Sequence, residues 1–176
     1  GTIAGAMRRD PMAAESFPDD VLELQAFLGP LSPGQRIQAV PGAGLDIPLW
    51  ILGSSLYGAQ LAAMLGLPYA FASHFAPEAL MHALAIYREK FRPSAQLKEP
   101  YVMVGVNVIA ADTDAEARRL FTSAQQRSTG PLRGARGRLP PPIDDIETFW
   151  SPAEREEVMR KLAVSCVGAP ATVKDR

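Results

Sequence analysis

The stretch Leu49-Trp50-Ile51-Leu52-Gly53-Ser54-Ser55-Leu56-Tyr57-Gly58-Ala59-Gln60-Leu61-Ala62-Ala63-Met64-Leu65-Gly66-Leu67-Pro68-Tyr69-Ala70-Phe71-Ala72-Ser73-His74 decides the fold class. Leu49 to Leu52 is a short, continuous apolar run, with Pro48 before it and Gly53-Ser54-Ser55 behind it. A run that is apolar on both faces suits a strand buried on both sides of a parallel sheet. A helix follows from about Leu56 to Leu65, closed by Gly66 as its C-terminal cap. Leu67 to Ala72 then reads as a second strand. Strand, helix and strand in quick succession make a βαβ unit.

The same rhythm continues downstream. After Ser73-His74-Phe75-Ala76, Pro77 and Glu78 open a helix predicted to reach about Phe91, with Leu80, Leu84 and Tyr87 as its buried stripe. Tyr101 to Ala110, rich in Val and Ile, reads as a third strand. Asp112-Thr113-Asp114 cap a helix from Ala115 to about Gln126, with Glu116, Arg118 and Arg119 outward. Ser151-Pro152-Ala153-Glu154 is a capping-box start for a helix to about Leu162. An extended Val164 to Val167 and a helix entry at Gly168 to Thr172 complete the chain. Upstream, a helix is expected between Asp10 and Leu28, with Pro11 in its first turn and its stronger part starting near Pro18-Asp19-Asp20. Its apolar face would be Val21, Leu22, Leu24, Phe27 and Leu28. Pro30 to Pro48 reads as loop, with at most an extended piece from Ile37 to Val40. The class is α/β with a parallel sheet, and an open doubly wound sheet and a (β/α)8 barrel fit the order equally well.

Composition narrows the possibilities further. The 176 residues, 47% hydrophobic and 21% charged with a net charge of −1, suit one soluble domain and argue against disorder. That balance gives no basic footprint for nucleic acid. No apolar run approaches the roughly 18 residues of a membrane span. Arg8 and Arg9 are followed by Asp10 and Pro11 rather than by the apolar core of a signal peptide. The single cysteine, Cys166, excludes an internal disulfide and suits a reducing compartment, so a cytoplasmic location is expected. A break in the rhythm comes at Arg127 to Pro142, where Gly130, Gly134, Gly137, Pro131 and Pro140-Pro141-Pro142 are set among Arg127, Arg133, Arg136 and Arg138. A mobile excursion is expected there, running on to residue 149 within one domain of residues 1–176. Its arginines would meet an anionic partner or simply water.

Two features could carry chemistry. Gly53-Ser54-Ser55-Leu56-Tyr57-Gly58 lies between the carboxyl end of a buried strand and a helix N-terminus, where free amides and the helix dipole attract an anion. Either the serine hydroxyls add donors for a phosphate, or one of them caps the helix. Neither G-x-G-x-x-G nor G-x-x-x-x-G-K-[ST] is present. His74 follows the next strand at the equivalent edge, where ligand sites gather in parallel α/β proteins. It reads either as a proton donor or ligand contact or as an ordinary loop histidine. His82, inside a helix, reads as structural, and Cys166 as a buried, inert thiol. No metal-ligand spacing and no G-x-S-x-G elbow occur.

The run from Trp50 to Pro77 resembles the bacterial luciferase-like monooxygenases, and most closely their luciferase family oxidoreductase branch. Met7-Arg8-Arg9-Asp10, Phe17-Pro18-Asp19-Asp20-Val21, Leu139-Pro140-Pro141-Pro142, Phe149-Trp150-Ser151-Pro152 and Val167-Gly168-Ala169-Pro170 follow in the family's order. The resemblance implies a (β/α)8 barrel with an excursion after strand seven, and a flavin-dependent monooxygenase. Such an enzyme would use reduced FMN and O2 on a small organic substrate, with a flavin reductase as reductant source and a homo-oligomeric assembly. A deazaflavin (F420)-dependent hydride transfer on the same fold, or a non-catalytic truncated barrel, is the alternative. The resemblance places the flavin phosphate on Gly53, Ser54, Ser55, Leu56, Tyr57 and Gly58, with Gly58 standing where a hydroxyl residue is common. It makes His74 the catalytic candidate and Phe75 a substrate contact, both in the branch's Ser-His-Phe-Ala-Pro motif, and puts Arg8 or Arg9 near the phosphate. Against the family pattern the chain corresponds to about strands five to seven with flanking helices. A barrel typically needs about 250 residues, so either a fragment or a chain completed by association is expected.

Overall fold

The computed structural model describes residues 13–135 and 137–175. The Met7-Arg8-Arg9-Asp10 signature, the Pro11 helix start, the placement of Arg8 or Arg9, and Arg136 therefore lie outside the described residues. The chain divides into two compact units, Gly1–Trp50 and Ile51–Arg176.

In the first unit, helix α1 (Ala13–Leu28) runs straight through Pro18, where a firm start near Pro18 is expected. Proline in a helix removes one hydrogen bond and crowds the preceding turn; here that cost falls within the first two turns. Of the five apolar positions, Val21 is buried, Phe27 and Leu28 are half-buried, and Leu22 and Leu24 are exposed. The Gly29 amide donates to the Gln25 carbonyl at 2.9 Å as the helix stops. Ile37 to Val40 forms no strand, and both of those side chains stand in solvent.

The second unit begins with strand β1 (Ile51–Gly53), helix α2 (Leu56–Leu65) and strand β2 (Tyr69–Phe71). Gly66 ends α2 in the left-handed region, with φ 62°, and its amide reaches back to the Ala62 and Ala63 carbonyls. The helix expected from Pro77 opens as a single 3-10 turn, Pro77–Ala79, and continues as α3 (Leu80–Lys90). Alanines carry the close approach of α2 and α3: Ala62, Ala63 and Ala83 are fully buried. Tyr87 is buried beside them. Its hydroxyl donates to the Leu67 carbonyl at 2.9 Å and accepts from the Tyr101 amide at 3.2 Å, so α3 is tied to both neighbouring strands.

The predicted third strand, Tyr101 to Ala110, is two: β3 (Val102–Val104) and β4 (Asn107–Ala110). β3 pairs with β2, whereas β4 pairs with β5 (Ser165–Gly168). One stretch of chain thus changes partner at Gly105-Val106. Strands that tilt across a sheet stagger their pairing in this way. All pairs are parallel and follow chain order, β1-β2-β3 and then β4-β5. In the first sheet, Ile51 and Tyr69 are buried on the helix side, while Leu52 is 71% exposed and Met103 55% exposed on the other. Side chains alternate along a strand, so Leu52 and Met103 stand on the face away from Ile51 and Tyr69, with Ala70 buried between them.

Thr113 caps α4 (Asp114–Thr129) by accepting from the Glu116 amide. Ser151 and Glu154 form the expected capping box of α5 (Pro152–Lys161). A short α6 (Pro170–Lys174) follows β5. Asp114 joins these elements: its Oδ1 accepts from the Ala169 amide at 2.6 Å and from the Thr172 hydroxyl at 2.9 Å. Between α4 and α5 the chain is helical as far as Arg133, through a 3-10 turn at Gly130–Arg133. Beyond it, Asp144 pairs with Arg119 at 2.6 Å, the Pro141 carbonyl accepts from Gln126 Nε2, and the Ile143 amide donates to Thr122 Oγ1.

Arg133 also holds this segment from its other end. Its guanidinium donates to both carboxylate oxygens of Glu154, at 2.7 and 3.0 Å, and lies over the Phe149 ring. Arg133 and then the Ser151 amide hold the Glu154 carboxyl down to about 2. A carboxyl depressed in the fold contributes above its unfolded value and loses that contribution as pH falls through the folded one. Amide exchange at Phe149 and Ser151 is therefore expected to quicken, after correction for the intrinsic rate, between about pH 4.5 and pH 2. Unchanged protection across that window would contradict the tie.

Candidate functional site

The Ser54-Ser55 loop and the His74 turn lie side by side because the strands that carry them are parallel neighbours. Gly53 pairs with Phe71 at the carboxyl ends of β1 and β2, and the Ala72 amide donates to the Gly53 carbonyl at 2.9 Å. Ser54 and Ser55 are exposed at this edge. Ser55 is the N-cap of α2, with extended backbone (φ −135°, ψ 162°), yet its side chain makes no capping hydrogen bond. The amides of Leu56, Tyr57 and Gly58 are in the first turn, where no intrahelical acceptor exists. Two serine hydroxyls, the first-turn amides and the positive helix end therefore sit at the same strand-to-helix junction.

Tyr69 supports the loop from below. Its buried hydroxyl donates to the Ser55 carbonyl at 3.1 Å, and burial pushes its pKa up to about 12, which keeps that donor protonated. Gly58 is buried against the Tyr69 ring, Ile51 and Gly53. A Cβ placed there would meet its nearest atoms at 3.5 to 3.8 Å, ordinary contact distances. The position thus accommodates a Cβ without displacing its neighbours.

The His74 turn is tight: Ser73 donates from its amide to the Phe71 carbonyl, and Phe75 from its amide to the Ala72 carbonyl, both at 2.9 Å. The His74 ring is half-buried and touches the Phe75 ring, with centroids 4.4 Å apart. Phe75 itself is 76% exposed at the rim. The two predicted features thus share one sheet edge. His82 instead stands exposed on α3, and Cys166 is half-buried in β5. Among the described residues no three His, Cys, Asp or Glu side chains gather as a metal site, and no helix is long and apolar enough to cross a membrane. A separate cavity of 730 Å³ lies between α4, α5 and β5, lined by Phe121, Met159 and Val167 among others, and includes none of the predicted site residues.

A profile of the luciferase-like monooxygenases matches residues 23–176. The chain belongs to the luciferase-like monooxygenase family. It is similar to a luciferase-like monooxygenase of Escherichia coli strain K12, with 52% identity over 160 residues that make up 91% of this chain and 48% of that protein. An uncharacterized protein of Bacillus subtilis strain 168, YvbT, is 45% identical over 97% of this chain and 51% of its own length. Among solved structures, apo-MsnO8 superposes with a TM-score of 0.73 at 31% identity, covering 90% of this chain and 48% of the other. The monooxygenase RslO1 from Streptomyces bottropensis, at 16% identity and TM-score 0.57, shares the fold. The chain spans about half the length of the curated relatives it matches.

Three residues that hold the Ser55 and His74 turns, Tyr69, Ser73 and Gly105, give little sign of it in the sequence. Tyr69 looks like any strand aromatic, Ser73 like any turn serine, and Gly105 like an interruption in a Val-rich run. Only the last carries a local signal, because glycine inside a strand marks a place where something approaches closely.

Proposed function

We propose that this chain carries the phosphate-holding edge of a flavin-dependent (β/α)8-barrel monooxygenase that acts with reduced FMN and O2 on a small organic substrate. The observation that carries this reading is the N-terminus of α2. Its N-cap, Ser55, leaves its hydroxyl out of the capping bond, next to exposed Ser54 and a first turn of amides that have no intrahelical acceptor. Membership of the luciferase-like monooxygenases supports the redox chemistry. In this reading Ser54, Ser55 and the amides of Leu56, Tyr57 and Gly58 would hold the phosphate, and Tyr69 would fix the loop by its bond to the Ser55 carbonyl. His74 would offer a ring nitrogen to the flavin or substrate, and Phe75 would shield the pocket mouth from water. The bound flavin would supply the electrons that a flavin reductase had delivered to it.

Titration with FMN and with F420, followed by flavin fluorescence, tests the assignment. Saturable binding of FMN at micromolar to sub-millimolar concentration is the expected result. Binding of F420 in preference to FMN would move the reading to hydride transfer on the same fold. Absence of binding to either at millimolar flavin would overturn it in favour of a barrel portion with no flavin site of its own.

A further inference from the structure

We propose that Gly105 is the positioning residue for His74, an inference that rests on the flavin reading for its functional consequence but not for its geometry. Gly105 lies between β3 and β4, where the pairing partner changes from β2 to β5, and its backbone is not in the left-handed region that would by itself require glycine. What requires glycine is the imidazole. A Cβ built at Gly105 would fall on His74, well inside contact of Nδ1 and 2.8 Å from Cε1, and its three nearest atoms all belong to that ring. The main chain cannot withdraw to make room. Gly105 donates from its amide to the Phe71 carbonyl at 2.9 Å and accepts at its own carbonyl from the Ser73 hydroxyl at 2.5 Å. Ser73 is fully buried. Both clamps come from the strand end that carries His74, so Gly105 and His74 are held in one frame. The imidazole's Nδ1–Cε1 edge fills the space a Gly105 Cβ would take, with Phe75 against the ring. Nε2 and Cδ2 lie farther from that space. The missing side chain at 105 therefore sets which ring atoms His74 presents at the edge that also carries Ser54 and Ser55.

The test uses the fact that the chain has two histidines, His74 and His82. Imidazole NMR signals are assigned with His82→Gln, and the His74 ring protons are expected to carry a ring-current shift from Phe75. Gly105→Ala should move the His74 signals and leave those of His82 in place, because a terminal side chain yields more cheaply than clamped backbone. FMN affinity is then measured for the parent, Gly105→Ala, His74→Ala and the double variant. Gly105→Ala is expected to weaken FMN by about threefold to tenfold when His74 is present and to have no effect in the His74→Ala background, as coupling between touching residues gives. The double variant should also melt with His74→Ala alone, since the only clash has been removed. Unmoved His74 signals would overturn the proposal, and so would an equal loss of affinity in both backgrounds. Moved signals in a chain that binds no FMN would uphold the seat and overturn the flavin reading instead.

Discussion

Ser55→Asp is expected to weaken FMN binding by well over tenfold while leaving the fold intact or slightly more stable. The two effects have opposite signs because they act on different partners. Aspartate is among the best N-cap residues, and a negative charge favours a helix N-terminus by a few tenths of a kcal/mol to about 1 kcal/mol. Ser55 makes no side-chain capping bond, so the fold has nothing to lose there. A phosphate held by the same amides would meet that carboxylate at close range. Two unit charges about 4 Å apart repel by about 4 kcal/mol at an effective dielectric near 20, and a phosphate monoester carries about −1.5 to −2 charges. Ser55 is exposed, so solvent screens part of this, yet about 1.4 kcal/mol already makes tenfold. Fluorescence titration gives the affinity and thermal unfolding gives the stability. Unchanged FMN affinity would remove Ser55 from the phosphate site.

Gly66→Ala has the largest effect expected on stability. At φ 62° an L-residue costs about 1–2 kcal/mol. The added Cβ would also press on the Arg92 carbonyl and approach Ser94 Cβ to 2.7 Å and Ser94 N to 3.0 Å. Backbone cannot swing aside as a side-chain tip can, and overpacking of this kind adds about 1–3 kcal/mol. A fall in melting temperature of about 10 °C follows for a chain of this size. A melting temperature within about 2 °C of the parent's would show that the α2–β2 turn does not pack under Arg92–Ser94.

Gly66 and Thr113 show why much of the helical frame is legible in the sequence. A cap is a local device: Gly66 after Leu65, Thr113 before Asp114, and the Ser151–Glu154 box each satisfy backbone groups within a turn. Their meaning needs nothing remote. Pro18 misleads for the converse reason, since a proline's local cost is tolerated when its helix gains elsewhere. The split of Tyr101–Ala110 into β3 and β4 could not be read locally. Val102 and Val108 look alike, and only the stagger of β2 and β5 decides which of them pairs with what. The candidate site divides in the same way. Ser54, Ser55 and His74 stand out because strand ends followed by turns mark the ligand edge of a parallel sheet. Gly105 and Tyr69 matter only through contacts with His74 and Ser55, residues far from them in the chain.

The phosphate is the central claim, and comparing FMN with riboflavin on the unmodified chain isolates it, since the two differ by that group alone. If the Gly53–Gly58 loop grips the phosphate, FMN binds at least about tenfold more tightly than riboflavin, as charge-assisted hydrogen bonds of about 1.5–3 kcal/mol each require. Equal affinity for the two flavins would contradict the account.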